Sequence, residues 1–507
     1  MPASRLREYN SIIKDQRSVS LLFGYCYPST YRVGMTSLAT HLFYQLLNMR
    51  DDVSCERYFR YDVPSCVNSI ESGRPLRNNH IVGFSLSSEE DILHVLQMLD
   101  GAHIPVLCKE RGPEDPIVIA GGPVITANPE PYVDFIDAFV IGDGEDAIQE
   151  ILDAGQDVRD RLGFLEALSD IAGVYVPAKE PTSISRRIVP DLDLAFHPTS
   201  QIVPIVPDGD VHEPILGKSF LIEVNRGCGH ACAFCVVGHI CRPRRVRSLK
   251  RQLEICEDGL KRTPVGKVAF IGSSVGAVDG LAEIGSMLVH RGVRISVPSL
   301  RADSITEELL RTLVEGGQKT LTIAPEVGGQ ELRYRIRKRI SNETFYDVVA
   351  LASRVGMKFL KAYFIFGLPE ESLDDVHEIG RMIARFREIG RMRVTVSLNP
   401  FIPKAGTEFE RKPQLSLDVL RERMSIVRKS LKHLPGVELE ILDPRLARIQ
   451  AALSVGDRRL GPLIRLAAKY GGLGGWRRAE RETGIPFNEI VTGPRRQEDP
   501  LPWAFIS

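Results

Sequence analysis

The sequence lacks long apolar runs and carries no net charge. Lysine plus arginine and aspartate plus glutamate each number 65 in 507 residues, so no global field attracts nucleic acid or an anionic membrane. Its uncharged stretches, such as 18–31 and 116–129, contain Gly or Pro and are shorter than the about 20 apolar residues of a spanning helix. Charges at Arg5, Arg7 and Glu8, with no apolar run behind them, argue against a signal peptide. We therefore expect a folded cytoplasmic protein without a membrane partner.

Cysteine is scarce as well. Nine cysteines in a chain of this length do not make a disulfide framework. Six of them are scattered, namely Cys26, Cys55, Cys66, Cys108, Cys241 and Cys256. The other three, Cys228, Cys232 and Cys235, lie close together in a loop that begins Arg226-Gly227. Soft thiolates at this spacing can converge on one inorganic core, either zinc or iron–sulfur.

The number of thiolates favours iron–sulfur over zinc. A closed structural zinc site needs four ligands, and a second paired cysteine motif is missing. His230 or Cys241 could complete such a site, so zinc stays open as an alternative. Three buried cysteines acting as small hydrophobes fit a polar, glycine-containing loop less well. Three cysteines on a four-iron core would leave one iron open for a substrate or cofactor.

Two series of strands alternating with helices predict an α/β fold. Predicted strands at 18–26, 81–86, 117–120 and 138–141 form a doubly wound sheet, with the turns Gly121-Gly122-Pro123 and Gly142-Asp143-Gly144 at its ligand-binding edge. After a proline-rich linker, six further strands predict a barrel or partial barrel. These strands lie at 220–224, 268–271, 295–298, 320–324, 361–366 and 393–398. The predicted domains are 1–176, the linker 177–218, the barrel 219–435 and a helical segment 436–507.

The cysteine loop resembles the signature of the radical S-adenosylmethionine (SAM) superfamily, Cys-x3-Cys-x2-Cys with an aromatic residue before the third cysteine. Phe234 fills that place, and the loop follows the first predicted barrel strand. The resemblance implies a 4Fe-4S cluster held by Cys228, Cys232 and Cys235, with SAM on the open iron. It also implies an electron donor, whose electron cleaves SAM to a 5′-deoxyadenosyl radical.

Further motifs extend this resemblance along the barrel. A Gly-rich turn, Ile271-Gly272-Ser273-Ser274, follows the second predicted strand, and Ala324-Pro325-Glu326 follows the fourth. Taken singly, each motif is compatible with an ordinary loop; their order and spacing favour SAM binding. The residues that the resemblance implies as SAM contacts are Phe234, Gly272, Ser273, Ser274, Ser299, Arg301 and Glu326. No catalytic acid, base or nucleophile is identified.

The first domain resembles the cobalamin-binding domains of the same superfamily. Small residues at its turns let backbone amides approach a nucleotide tail. The residues implied are Tyr31, Arg32, Ser85, Leu86, Ser87, Gly121, Gly122, Pro123, Gly142, Gly144 and Glu145. The Asp-x-His-x-x-Gly motif that supplies a lower axial histidine is missing, so we expect cobalamin without histidine on cobalt. A plain Rossmann-like fold with tight turns stays open.

The whole chain is similar to cobalamin-dependent (class B) radical SAM methyltransferases. This implies a Rossmann-like cobalamin domain, a partial (β/α)6 radical SAM barrel and a small helical C-terminal domain. It implies methylation of an unactivated carbon; the resemblance is strongest to methanogen enzymes that methylate a glutamine of methyl-coenzyme M reductase, hence a protein or peptide substrate. The arginine-rich stretches 242–251 and 333–339 lack interleaved aromatics, so nucleic acid is not expected.

Two other functions remain as alternatives. A methylthiotransferase modifying tRNA or protein would need three more cysteines for an auxiliary cluster, and Cys26, Cys55 and Cys66 are unevenly spaced for that purpose. A non-enzymatic cobalamin carrier or cluster-bearing sensor would not need the SAM contacts implied at Ser299, Arg301 and Glu326.

Overall fold

The structure, a computed structural model, describes residues 6–60, 67–157 and 160–507. It contains two α/β units, as the sequence predicts, and the predicted fold class is confirmed. Among the described residues, every helix is too short or too polar to cross a bilayer.

The strands, in chain order, are β1 Glu8–Tyr9, β2 Leu21–Tyr27, β3 Val53–Phe59, β4 Ile81–Ser85, β5 Ile117–Gly121, β6 Ala138–Val140, β7 Val174–Tyr175, β8 Val203–Pro204, β9 Phe220–Arg226, β10 Arg245–Val246, β11 Lys267–Gly272, β12 Arg294–Ser296, β13 Thr320–Glu326, β14 Phe359–Phe366, β15 Arg393–Pro400 and β16 Val437–Ile441. The α-helices are α1 Tyr31–Gly34, α2 Leu38–Asn48, α3 Asp91–Gly101, α4 Pro123–Ala127, α5 Glu145–Asp157, α6 Arg161–Ser169, α7 Val237–Ile240, α8 Leu249–Arg262, α9 Leu281–His290, α10 Glu307–Glu315, α11 Gln330–Arg335, α12 Asn342–Val355, α13 Leu373–Ile389, α14 Leu417–Leu431, α15 Pro444–Val455, α16 Gly461–Tyr470, α17 Gly472–Thr483 and α18 Phe487–Thr492.

The N-terminal sheet is doubly wound. Its strand order is β3-β2-β4-β5-β6-β7, and all neighbours are parallel except β6 and β7. From β2 the chain first adds β3 on one side and then crosses to add β4 on the other side, so the strand order reverses between the neighbours β2 and β4. Ligands of open α/β sheets bind in the crevice at such a switch point. The crevice here lies at the carboxyl ends of β2, β4 and β5.

Strand β3 was not predicted, because charged residues interrupt its apolar pattern. The fully buried Arg57 forms ion pairs with Glu8, at 2.5 Å, and with Glu71, at 2.6 Å. Glu56 accepts hydrogen bonds from Ser69 and from a second serine. Buried charges are tolerated when they are paired and hydrogen-bonded. These contacts allow a polar sequence to form a buried strand.

The barrel contains the six predicted parallel strands, one further parallel strand, β16, and the short antiparallel strand β10. Strands β9, β11 and β12 form one parallel run with β10 at its edge, and β13 to β16 form a second. A parallel bridge between Leu300 and Ile323 links the two runs. The extra strand, β16, pairs with β15, so the barrel sheet continues past the predicted boundary at residue 435. The alternating Val-Glu-Leu-Glu-Ile of β16 carried that signal.

The C-terminal helices pack on the N-terminal sheet. Leu463, Ile464 and Trp476 share one hydrophobic core with Val118 and Phe139 of the sheet. The helices of the predicted segment 436–507 therefore cover the first domain and share its hydrophobic core. The glycine-rich stretch of this segment, residues 471–475, comprises the turn residue Gly471 after α16 and the first residues of α17.

Candidate active site

The cysteine loop is an excursion between two paired strands. Strand β9 ends at Arg226 and β10 begins at Arg245, and these two residues are register partners in an antiparallel pair. Gly227 starts the loop with φ +76°, and a Cβ there would lie 2.1 Å from the Cys241 carbonyl oxygen. Only glycine fits such a backbone contact. The loop thus leaves and rejoins the barrel at one place.

The three thiols lie in different environments within this loop. Cys232 is buried, and Cys228 and Cys235 are half-buried. Burial raises the pKa of the Cys235 thiol, while hydrogen bonds from the backbone N–H groups of Val237 and Gly238 oppose that rise. Burial also raises the pKa of Cys232, against the positive charges of Lys338 and Arg301. Nearby donors and cations suit thiols that ionise when they bind a metal.

A single zinc ion and an iron–sulfur cluster need different groupings of ligands. In the part of the chain that the structure describes, no three His, Cys, Asp or Glu side chains are grouped to hold a single metal ion. A four-iron core needs no such grouping, since each thiolate binds a different iron. His230 lies beside the charges of Arg301 and Asp303, and Cys241 lies beside Asp143.

Glu326 and Lys338 bring opposite charges to the cysteines. Lys338 Nζ lies 2.7 Å from Glu326 Oε1, and both charges act on Cys232. Glu326 has φ +66° at a register irregularity of β13, a conformation that is unusual for a non-glycine residue and typical of functional sites. The pair offers one anionic and one cationic group at the loop, which matches the amino and carboxylate groups of an amino acid.

Asn225 joins the cysteine loop to the Gly-rich turn. Its side chain donates to the Gly227 carbonyl oxygen at 2.9 Å and accepts from the Ser274 N–H at 3.2 Å. A Cβ on Gly272 would lie 2.3 Å from Asn225 Oδ1, so glycine is required there. Ser273 is exposed at the tip of the same turn. Sequence reasoning missed Asn225, whose only signal was a polar residue inside a buried strand. Lys338 belongs to the segment Ala324-Pro325-Glu326, Leu332-Arg333 and Ile336-Arg-Lys338, which resembles a radical SAM motif, but it was not predicted as a SAM contact.

The remaining predicted SAM contacts fall into two groups. Arg301 is held by an ion pair with Asp303 at 2.7 Å and lies near Cys232, and Ser299 is exposed in the same loop. Phe234 packs instead on an apolar cluster that contains Leu332 and other barrel residues. This packing anchors the cysteine loop on the barrel.

The arginine-rich run 333–339 separates into buried and exposed members. Arg333 is fully buried and donates to the carbonyl oxygens of Pro325, Val327 and Gly328, at 2.6–3.1 Å. Burial lowers the pKa of Arg333 to about 10. Arg333 therefore holds the backbone on both sides of Glu326.

We expect Arg333→Met to destabilise the protein by about 3 kcal/mol, because several buried carbonyl oxygens lose their donor. The free energy of unfolding in urea measures this loss. The control is Arg339→Met, an exposed change in the same run, which should stay within about 0.5 kcal/mol of the wild type. Equal effects of the two changes would contradict the structural role of Arg333.

A cavity of about 480 Å³ occupies the switch point of the N-terminal sheet. Its floor is apolar and includes Phe23, Leu42 and Phe43, whereas its rim carries polar groups and glycines. Eight of the predicted cobalamin contacts line it: Ser85, Ser87, Gly121, Gly122, Pro123, Gly142, Gly144 and Glu145. An apolar floor below a polar rim fits an aromatic base with its sugar and phosphate.

Three predicted cobalamin contacts lie elsewhere. Tyr31 is buried beside β3 and donates from its hydroxyl to Glu8 at 2.6 Å. Arg32 is exposed, and Leu86 is fully buried in the sheet core. The turn at α1 directs Tyr31 away from the crevice. Tyr27, at the end of β2, lines the cavity instead, with its hydroxyl 3.0 Å from Ser87 Oγ.

Gly122 shapes the rim through its backbone. Its φ is +114°, and a Cβ there would lie 2.3 Å from the Leu86 carbonyl oxygen. Any side chain at this position would displace backbone. The rim therefore presents main-chain groups close to a ligand.

The cavity also reaches the barrel. Ile240, Cys241 and Arg242 from the cysteine loop line it, together with Ile271 from the end of β11. The crevice of one domain thus opens beside the cysteine loop of the other.

Fold and site together define a radical SAM protein with a Rossmann-like domain before its barrel. The family model described as "Radical SAM proteins, N-terminal" matches residues 39–177, and that of the radical SAM superfamily matches residues 222–383. The protein MJ0966 of Methanocaldococcus jannaschii is 30% identical over 453 residues, which cover 89% of this chain and 92% of that protein. The chain belongs to the radical SAM superfamily.

Two further relatives are similar to part of the chain. The uncharacterized methyltransferase PH0819 of Pyrococcus horikoshii is 27% identical over 52% of this chain and 56% of its own length. The putative methylthiotransferase MJ0865 of M. jannaschii is 24% identical over 60% of this chain and 65% of its own length.

Two solved structures share the fold. The radical SAM methyltransferase TsrM of Kitasatospora setae, with tryptophan and a SAM analogue bound, has a TM-score of 0.55 at 14% identity, covering 92% of this chain and 99% of that one. The cobalamin-dependent SAM radical enzyme OxsB, with aqua-cobalamin and SAM bound, has a TM-score of 0.51 at 14% identity, covering 93% and 72%.

Proposed function

We propose that this chain is a cobalamin-dependent radical SAM methyltransferase that methylates an unactivated carbon. One observation carries the proposal: the cavity at the N-terminal switch point is lined by the glycine turns of one domain and by residues 240–242 beside the cysteine loop of the other. Two cofactors held at one substrate gain the rate advantage of proximity. TsrM has also been solved with cobalamin and a 4Fe-4S cluster bound, which supports this assignment.

The barrel residues would hold the cluster and SAM. Cys228, Cys232 and Cys235 are the soft donor set for a 4Fe-4S cluster. We assign the amino and carboxylate groups of SAM to the charges at Arg301, Glu326 and Lys338, and its backbone contacts to the turn at 272–274. When bound, the cluster supplies the electron that cleaves SAM, and an external electron donor must reduce it.

The cavity would hold the nucleotide tail of cobalamin. Its apolar floor takes the aromatic base, and its glycine rim lets main-chain N–H groups approach the polar linker. When bound, cobalamin supplies methyl-transfer chemistry beside the cysteine loop. Of the described residues that line the cavity, none is histidine, which supports binding without histidine on cobalt.

We extend the proposal to a protein or peptide substrate in the cytoplasm. The resemblance of the sequence supports a glutamine of methyl-coenzyme M reductase as the first acceptor to test. Mass spectrometry of candidate protein targets, with and without this enzyme and with methyl-deuterated SAM, tests it. A labelled methyl on a carbon of the target supports the proposal, and transfer of sulfur with the methyl would support a methylthiotransferase instead.

The methylthiotransferase alternative is weakened by the cysteines it would use. Cys26 and Cys55 are fully buried in neighbouring strands of the N-terminal sheet, and burial raises the pKa of both thiols. A second cluster has no space in that packed core. Cys66 lies outside the described residues.

We expect Glu326→Gln to weaken SAM binding by about 10-fold, because a hydrogen bond to a charged group contributes about 1.5–3 kcal/mol. Equilibrium dialysis of SAM against the cluster-loaded protein measures the affinity. Glu331→Gln removes an exposed carboxylate nearby on α11 and should leave the affinity unchanged. An unchanged affinity in Glu326→Gln would remove this residue from the SAM site.

A further inference from the structure

Asp143 contacts three separate segments of the chain. It lies between the two glycines of the turn that follows β6. Its Oδ1 lies 3.0 Å from Arg226, and its Oδ2 accepts hydrogen bonds from Arg245, at 2.5 Å, and from the Val189 N–H, at 2.8 Å. The carboxylate is thus held by the linker, by the strand before the cysteine loop and by the strand after it.

The two arginines stand at the base of the cysteine loop. Arg226 and Arg245 are register partners, and the loop with the three cysteines is the chain between them. One carboxylate of the first domain therefore binds both ends of the loop that belongs to the second. A small displacement of Asp143 would move the whole loop relative to the cavity.

Neighbouring charges make this contact rigid. Arg226 also pairs with Glu145 at 2.6 Å and with Glu223 at 2.9 Å. The side chains of Asp143, Glu145, Glu223, Arg226 and Arg245 are between 6% and 16% exposed. Charges with so little solvent contact favour one arrangement, because any other leaves an unpaired buried charge.

We infer that Asp143 is a positioning residue: by joining Arg226 and Arg245 to the Gly-Asp-Gly-Glu turn, it fixes the separation and orientation of the cluster relative to cobalamin. The inference rests on the proposed function, and it assigns Asp143 no contact with either reacting group. Placement errors of about 1 Å can reduce the rate of a positioned reaction about 100-fold. The contact therefore decides whether SAM cleavage is followed by methyl transfer.

The variant Asp143→Asn tests the inference, since it keeps the side-chain shape and removes the charge. Asp143 and Arg245 also line the cavity proposed for cobalamin. Because the Asp143 oxygens are already engaged by Arg226, Arg245 and the Val189 N–H, we expect each variant to take up both cofactors at wild-type stoichiometry, and uptake is measured before the coupling. The matched control is Asp146→Asn, an exposed carboxylate on the first turn of α5. Arg245→Lys is a second variant, which keeps a charge opposite Asp143 while it loses the guanidinium geometry.

The direct readout is the magnetic dipolar coupling between cobalt(II) cobalamin and the reduced cluster in the loaded protein. The coupling reports the distance between cobalt and the cluster. We expect one narrow distribution of this distance in the wild type and in Asp146→Asn, and broadened distance distributions in Asp143→Asn and Arg245→Lys. The ratio of 5′-deoxyadenosine to methylated product should rise about 10-fold or more in the two broadened variants. A merely structural role would lower both products together.

Two outcomes would overturn the inference in different ways. If the cobalt–cluster distance distribution in both Asp143→Asn and Arg245→Lys is that of the wild type, the contact does not position the cofactors. The proposed function would be unaffected by this result. A wild-type protein that takes up no cobalamin would overturn the proposed function, and this inference with it.

Discussion

Replacement of any one of Cys228, Cys232 and Cys235 by alanine is expected to abolish SAM cleavage. We propose these thiols as the donor set of the cluster, and a four-iron core that lacks one of its three protein ligands is lost or inactive. Mutation of a residue that only orients a metal ligand already lowers metal affinity or activity about 10–100-fold. Loss of a ligand itself should therefore have a larger effect. Iron content and 5′-deoxyadenosine formation in anaerobically reconstituted protein measure the effect.

Cys241→Ala is the matched control for these variants. Cys241 lies later in the same loop, but its thiol lies beside Asp143 and Arg226 at the domain contact. The Cys241→Ala protein should therefore bind iron and cleave SAM as the wild type does. Loss of iron in Cys241→Ala would indicate a four-cysteine site, and 5′-deoxyadenosine from the triple alanine variant would contradict the radical SAM assignment for this loop.

Replacement of Ala39 by tryptophan is expected to abolish cobalamin uptake while SAM cleavage continues. Ala39 lies on α2, is half-buried and lines the 480 Å³ cavity. An indole there fills the space without straining the backbone, in contrast to any side chain at Gly122. Corrin absorbance after desalting measures uptake, and 5′-deoxyadenosine and methylated product are measured in the same samples.

Ala39→Ser changes the same position without filling the cavity and should bind cobalamin as the wild type does. The melting temperature of Ala39→Trp should not fall, because added apolar contact occupies an existing void. Full cobalamin uptake by a folded Ala39→Trp protein would contradict the assignment of this cavity to the nucleotide tail.

Much of the architecture could be predicted because strong local signals carried it. The barrel strands are apolar segments separated by helical segments of ordinary length, and all six predicted strands exist. The glycine turns after β5 and β6 line the cavity because the carboxyl ends of parallel strands meet at one edge. The spacing of the three cysteines predicts the cluster loop without any tertiary information.

Other features depend on tertiary contacts that a pattern does not contain. Strand β3 is polar in sequence and becomes buried only through partners such as Glu71, 14 positions from Arg57. Tyr31 and Tyr27 flank one loop, yet only Tyr27 faces the cavity. Asn225 gains its role from two loops that the barrel brings together. Side-chain direction at loop positions follows from the packed structure.

The electron paramagnetic resonance spectrum of cobalt(II) cobalamin in the loaded protein tests the central claim most directly. The claim is that this cavity holds cobalamin by its nucleotide tail, beside the cysteine loop, with no histidine on cobalt. The account predicts one bound corrin per protein chain and a cobalt(II) spectrum without superhyperfine splitting from a coordinated nitrogen. Absence of bound corrin, or splitting from a strongly coordinated nitrogen, would contradict it.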